Sequence, residues 1–191
     1  MSHLHHLLLR SLIISLTLAA LLCNSGLAED TSLISIGPRI GFSGKTPFFG
    51  KEQKYNFHLI DVAALWRLPW SWPLGHDAWK LETRLITSAG YLSAAGDGGL
   101  LATVVPDLAL SAWGGLVTLD IGGGVGFLSK YKFGMQDLGG PIQAVATAGI
   151  RINPFSHAYA GFRIQHVSDA GLYGSSSLGV DMYILELGYR F

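Results

Sequence analysis

The parity of the charged residues restricts what this chain can fold into more than any motif does. Between residues 32 and 191 the sequence divides into eight segments of alternating apolar and polar residues, separated by clusters of Gly, Pro, Asn and Asp. They run roughly over 32–42, 55–67, 78–92, 100–113, 115–128, 141–152, 156–168 and 178–191. Side chains alternate between the two faces of a strand, so each segment has an apolar face and an opposite one. Arg39, Asp61, Arg67, Lys80, Glu82, Arg84, Asp107, Asp120, Arg151, Arg163, Glu186 and Arg190 all fall on the opposite face. The third segment tests this most strictly, because Lys80, Glu82 and Arg84 share one parity within one strand. Asp181 alone breaks the rule. It shares a face with Tyr183, Leu185, Leu187, Tyr189 and Phe191.

Outward apolar faces and inward charges are the pattern of a barrel that crosses a membrane with strands. No 18-residue apolar run follows the N-terminus, since Pro106, Asp107 and Asp120 interrupt the longest candidate. The expected fold is therefore all-β, an eight-stranded antiparallel transmembrane β-barrel with a filled polar interior. Eight strands leave no room for an aqueous pore. The N-terminus reads as a cleaved signal peptide: a basic start at Arg10, an apolar run from Ser11 to Leu22, and small residues at Gly26 and Ala28. Residues 1–28 are assigned to the signal and 29–191 to the barrel domain, which puts the single cysteine, Cys23, in the signal. Thirteen Lys and Arg balance thirteen Asp and Glu, which gives a nucleic-acid partner no support.

The connections sort by length. Residues 43–54, 92–99, 129–140 and 169–177 are expected as outer loops, while Trp113-Gly114-Gly115 and Asn153-Pro154-Phe155 read as tight turns on the periplasmic side. Residues 68–77, LPWSWPLGHD, form a longer inner connection whose tryptophans suit the membrane interface. With both termini on the periplasmic side, the seventh strand ends at the outer leaflet with His166 and Ser168, both on its apolar face. Together with Asp181 they place a histidine, a serine and a carboxylate on the greasy face of one hairpin.

The run HVSDAGLYGSSSLGVD, followed by a strand ending in YRF, resembles the lipid A 3-O-deacylases, the PagL-type outer-membrane barrels. A looser likeness extends to LPWSWP and to FGMQDLGGP at 133–141. The resemblance implies an esterase that removes the 3-linked hydroxyacyl chain of lipid A, with lipopolysaccharide as substrate and the outer membrane as location. Carried over by position, it makes Ser168 the nucleophile, His166 the base and Asp181 the acid that orients the histidine. The chemistry agrees, because a serine needs a base in reach and the base needs a third group to fix its tautomer. Glu186 is the rival acid, but its parity sends it inward. The family pattern has asparagine where this chain has Asp169, and an ionised carboxylate there would oppose a developing oxyanion. Ser176, Ser177 and the backbone N–H groups of Asp169, Ala170 and Gly171 are the candidate oxyanion donors.

Lys45, Lys51, Lys54, Lys130 and Lys132 fall in the expected outer loops and are candidates for contact with lipopolysaccharide phosphates. His58 reads as an interfacial residue. No metal or cofactor is implied, since no ligand cluster lies near the three residues. A homo-oligomer is left open and is not indicated. The alternative reading is a non-catalytic barrel, structural or adhesive, that keeps the hairpin without its chemistry.

Overall fold

The computed structural model describes residues 27–28, 31–44, 53–75, 79–174 and 179–191. Eight long strands form one antiparallel sheet: β1 Ser32–Phe42, β2 His58–Leu74, β3 Trp79–Ala94, β4 Asp97–Ala112, β5 Val117–Leu128, β6 Ile142–Phe155, β7 Ala158–Ser168 and β8 Val180–Arg190. Each pairs with its neighbours in sequence, and β8 pairs back onto β1, so the sheet closes on itself. Leu27–Ala28 pairs with Ser71 and Trp70 of β2. The remainder of the signal assignment lies outside the described residues.

The parity rule holds on both faces. Ile36, Ile40, Ile60, Val62, Leu119, Ile121, Leu185 and Leu187 are exposed on the outer wall, whereas Arg39, Asp61, Glu82, Arg84, Asp107, Asp120, Arg151, Arg163 and Glu186 are buried. Exposed apolar side chains on this scale suit a wall that faces hydrocarbon.

The expectation of a uniformly polar interior is corrected: the lumen has two layers. Near the long-loop end it is a dry apolar core, where Leu59, Leu92, Leu101, Leu128, Val145, Val167, Val180, Met182 and Ile184 are buried against each other. Loop residues Phe57, Phe133 and Leu138 cap it, and the first two rings meet edge to face at 5.2 Å. Further in, arginines and carboxylates take over. Arg163 binds Asp120 through both oxygens at 2.7 and 3.1 Å and donates to Glu186 at 2.8 Å. Arg39 binds Asp61 and lies 3.7 Å from Glu186, while Arg151 reaches Glu186 at 3.2 Å. The short-turn end holds a cavity of about 300 Å³ whose lining includes Lys80, Glu82, Arg84, Arg151 and Arg190.

Three connections differ from expectation. The outer loop 92–99 is instead a two-residue turn, with Ala95 at φ 55 and Gly96 at φ 80, so β3 and β4 pair up to Ala94 and Asp97. The Trp-rich segment is mostly strand. β2 continues to Leu74, and the register shift between Arg67 and Ser71 accommodates Leu68, Pro69 and Trp70, as a bulge tolerates a proline. The turn placed at Asn153-Pro154-Phe155 lies just beyond, at Ser156-His157, because β6 runs to Phe155.

Candidate active site

The site is built where β7 and β8 part from each other. His166 lies directly across from Asp181 in the β7–β8 register, and Val167 from Val180. Cross-strand neighbours on one face are close enough for side chains to meet. Here they do: His166 Nδ1 and Asp181 Oδ1 form a short hydrogen bond. The carboxylate side chain is 2% exposed and the imidazole 23%, so the acid is shielded and the base is accessible. A histidine that serves a serine nucleophile holds its carboxylate through Nδ1 and works through Nε2, and this contact is compatible with that arrangement.

Ser168 follows on the same face at the end of β7. No hydrogen bond among the described residues joins its Oγ to His166. Gly179 approaches both of them. A Cβ at Gly179 would come within 2.7 Å of His166 Cε1, 3.2 Å of Nε2 and 3.2 Å of Ser168 Cβ. Any larger residue at 179 would press on both side chains. Sequence inspection singled out the serines of this loop and passed over its last glycine.

After Ser168 the chain turns back through Ala170 at φ 50 and Gly171 at φ 80. Asp169 organises that turn. Its carboxylate accepts the Gly171 N–H at 3.0 Å and the Tyr173 N–H at 3.2 Å, and its carbonyl accepts the Leu172 N–H at 2.9 Å. The side chain is buried against Gly139, where a Cβ would stand 2.6 Å from Oδ2. Asp169 thus spends its charge on backbone donors of its own loop, and one of those donors is Gly171, a candidate for the oxyanion. The Ala170 N–H carries no hydrogen bond among the described residues. Ser176 and Ser177 lie outside them.

Glu186 stands on the other face of β8, buried among Arg39, Arg151 and Arg163, as its parity requires. Lys54 donates to the Met135 carbonyl at 2.9 Å, and Lys132 pairs with Asp137 at 3.2 Å. Lys130 donates to Asp97 at 2.6 Å at the tip of the β3–β4 hairpin, outside the membrane span. With the Gly134 N–H it holds that carboxyl below the usual carboxylate range. These three lysines are held by intramolecular contacts; Lys45 and Lys51 lie outside the described residues. His58 is exposed at the start of β2.

Beside His166 the outer wall carries a shallow apolar cavity of about 290 Å³, lined by Ile121, Gly122, Ala146, Thr147, Ala148, Ile164 and His166. It exists because the row from His166 continues through Ala146 to Gly123, and in the next row Ala148 is the small residue between Ile164 and Ile121. Among the described residues no group of His, Cys, Asp and Glu is arranged to hold a metal.

Three comparisons with known proteins bear on this geometry. The family model for lipid A 3-O-deacylase (PagL) matches residues 58–190. The crystal structure of the outer membrane enzyme PagL superposes with a TM-score of 0.63 at 21% identity, over 81% of this chain and 97% of that one. A search among curated proteins found no match.

Proposed function

Because the chain belongs to the lipid A 3-O-deacylase (PagL) family, we propose that it is an outer-membrane serine esterase that releases the 3-O-linked hydroxyacyl chain of lipid A. The observation that supports this most is the His166–Asp181 hydrogen bond on the lipid-facing wall, beside Ser168 and an apolar cavity. A scissile ester at the boundary between head group and acyl chain can reach such a site without leaving the leaflet. The small-residue trough through Ala146 and Ala148 offers the departing acyl chain a surface to lie on.

In this mechanism Ser168 Oγ attacks the ester carbonyl while His166 Nε2 takes its proton, and Asp181 stabilises the imidazolium that forms. The tetrahedral oxyanion is met by backbone donors of the turn, for which the Ala170 N–H is the described candidate. Collapse breaks the bond to the sugar oxygen, which receives the proton from His166 and departs as the 3-hydroxyl. Water, activated by the same histidine, then attacks the acyl-Ser168 ester and releases the hydroxy fatty acid.

The test follows release of that acid by mass spectrometry from lipid A bilayers holding wild-type or Ser168→Ala barrel. Folding is checked by heat-modifiable migration. Ser168→Ala should remain folded and release only background, since one hydroxyl on the outer wall contributes little to stability. Equal release from both folded proteins would reject the esterase and favour a non-catalytic barrel.

A further inference from the structure

β8 begins before its second neighbour arrives. β1 ends at Phe42, which pairs with Tyr183, so among the described residues Val180, Asp181 and Met182 have β7 on one side and no paired strand on the other. Backbone groups on that open side still need partners. Two glutamines from different loops approach them. Gln136 Nε2 lies 3.4 Å from the Gly179 carbonyl, and Gln53 Nε2 lies 3.5 Å from the Asp181 carbonyl. Carbonyls two residues apart point to the same side of a strand, so both amides address one edge. Gln136 is 0% exposed and Gln53 2%. Buried amides are costly unless bonded, which makes this placement specific.

The two loops are also tied to each other. The Lys54 N–H donates to Gln136 Oε1 at 2.9 Å, and Gln143 Nε2 holds the Leu138 and Gly140 carbonyls at 3.0 and 2.6 Å. Below Gln53 the loop closes through Ser43 and Phe57, joined by bonds of 2.9 and 2.7 Å. Gln136 sits in the small hairpin of Lys132–Phe133 and Gln136–Asp137, whose Phe133 is anchored in the apolar core. Each amide is therefore carried by a fixed support.

The direction of the Asp181 carbonyl has a further effect. If it points to Gln53, it points away from β7. Asp181 and His166 then form a non-hydrogen-bonded pair, in which the Cα atoms are only about 4.5 Å apart and side chains approach most closely. That spacing permits the short imidazole–carboxylate contact. From this geometry we infer that Gln53 and Gln136 are positioning residues, which bind the edge of β8 beyond its described pairing with β1 and hold Asp181 against His166. The inference rests on the esterase reading for its kinetic consequence alone.

Among the described residues His166 is faced by Asp181 on β8, Ala146 on β6, Gly179, and Ile164 and Ser168 on its own strand; Asp169 is directed to the Gly171 and Tyr173 amides. Displacing Asp181 should therefore loosen the hold on Nδ1. The experiment measures the ¹⁵N shifts of the His166 ring in refolded full-length barrel, for wild type, Gln53→Met and Gln136→Met. Wild type should show one fixed tautomer with the proton on Nδ1, and each variant a mixture. In lipid A bilayers the same variants should lose kcat on the order of tenfold to a hundredfold, as misplaced catalytic groups do, with KM nearly unchanged. Gln136→Asn keeps a buried amide but shortens its reach, and gives the same reading should the apolar variants fail to fold. Folded variants that keep the wild-type tautomer and kcat overturn the inference. A wild type that releases no fatty acid defeats the esterase reading instead, and the tautomer measurement still decides the role of the glutamines.

Discussion

Asp181 and Glu186 lie five residues apart on β8 and share a charge, yet they belong to different machines. Glu186 faces the lumen, where Arg39, Arg151 and Arg163 surround it. Asp181 faces the outer wall, where an imidazole is its cross-strand neighbour. Burial does not separate them, since both are nearly inaccessible. Their partners do. Several permanent cations commit a carboxylate to holding strands together, whereas a histidine partner, under the proposed esterase mechanism, lets it stabilise a charge that comes and goes during the reaction. An odd step along a strand changes the face, and with it the partners that a carboxylate meets.

The sharpest way to break this comparison is to neutralise each acid in turn. Asp181→Asn should leave the barrel folded and cut ester hydrolysis on the order of 10⁴-fold, because the amide favours the wrong tautomer of the base. Glu186→Gln should leave kcat within a few fold and destabilise the barrel by about 3–5 kcal/mol, the cost of stripping one partner from a buried ionic network. Denaturant titration and fatty-acid release, measured on both variants, check the pair. If the Glu186 change removes activity from a still-folded barrel and the Asp181 change does not, the assignment is reversed.

Two glycines repeat the contrast with a smaller effect. On the outer wall, Gly179→Ala puts a methyl between His166 Nε2 and Ser168. Activity should fall about 100-fold, as a displacement near 1 Å can cause. In the lumen, a Cβ at Gly149 would stand 3.0 Å from Arg163 Nη2 and 3.1 Å from Asp120 Oδ1. Gly149→Ala should therefore lower the midpoint of unfolding and spare kcat. Equal loss of activity from both would mean that the wall and the lumen are mechanically coupled, which the comparison denies.

The sequence makes the two faces legible because hydrocarbon penalises charge strongly and a strand reports side by parity. Lys80, Glu82 and Arg84 show the rule, and Asp181 shows its exception. What stayed hidden has physical causes too. Ala95 gave no turn signal because alanine rarely adopts positive φ, so the β3–β4 hairpin was read as a loop. Pro69 and Pro73 lie in the stretch read as a connection, but a register shift accommodates the first and the strand continues through the second. The apolar layer of the lumen depends on Phe57, Phe133 and Leu138 folding inward from loops, which no strand period records. Gln53 acts across 128 residues and Gln136 across 43. FGMQDLGGP was visible as a run but its role was not, because its contacts are with distant backbone rather than with its own neighbours.

The smallest expected effect concerns a third acid, Asp169, which tests whether charge or acceptor geometry governs the wall. Read from sequence, an ionised group next to Ser168 opposes the oxyanion, so Asp169→Asn should raise the rate. In the structure both oxygens are already occupied by the Gly171 and Tyr173 amides. An asparagine keeps one acceptor and turns the other into a donor, so one backbone N–H would face an N–H. Losing a hydrogen bond of this kind costs roughly 1 kcal/mol, or about fivefold if the loop must be ordered for turnover. Asp169→Asn should thus slow release about fivefold, with Ser168→Ala as the inactive baseline in the same bilayers. A faster enzyme would show that the charge of Asp169 reaches the reacting oxygen in spite of its two donors. The acid would then belong with Asp181, as a group that acts on the reaction, rather than with Glu186, as one that holds the protein in shape.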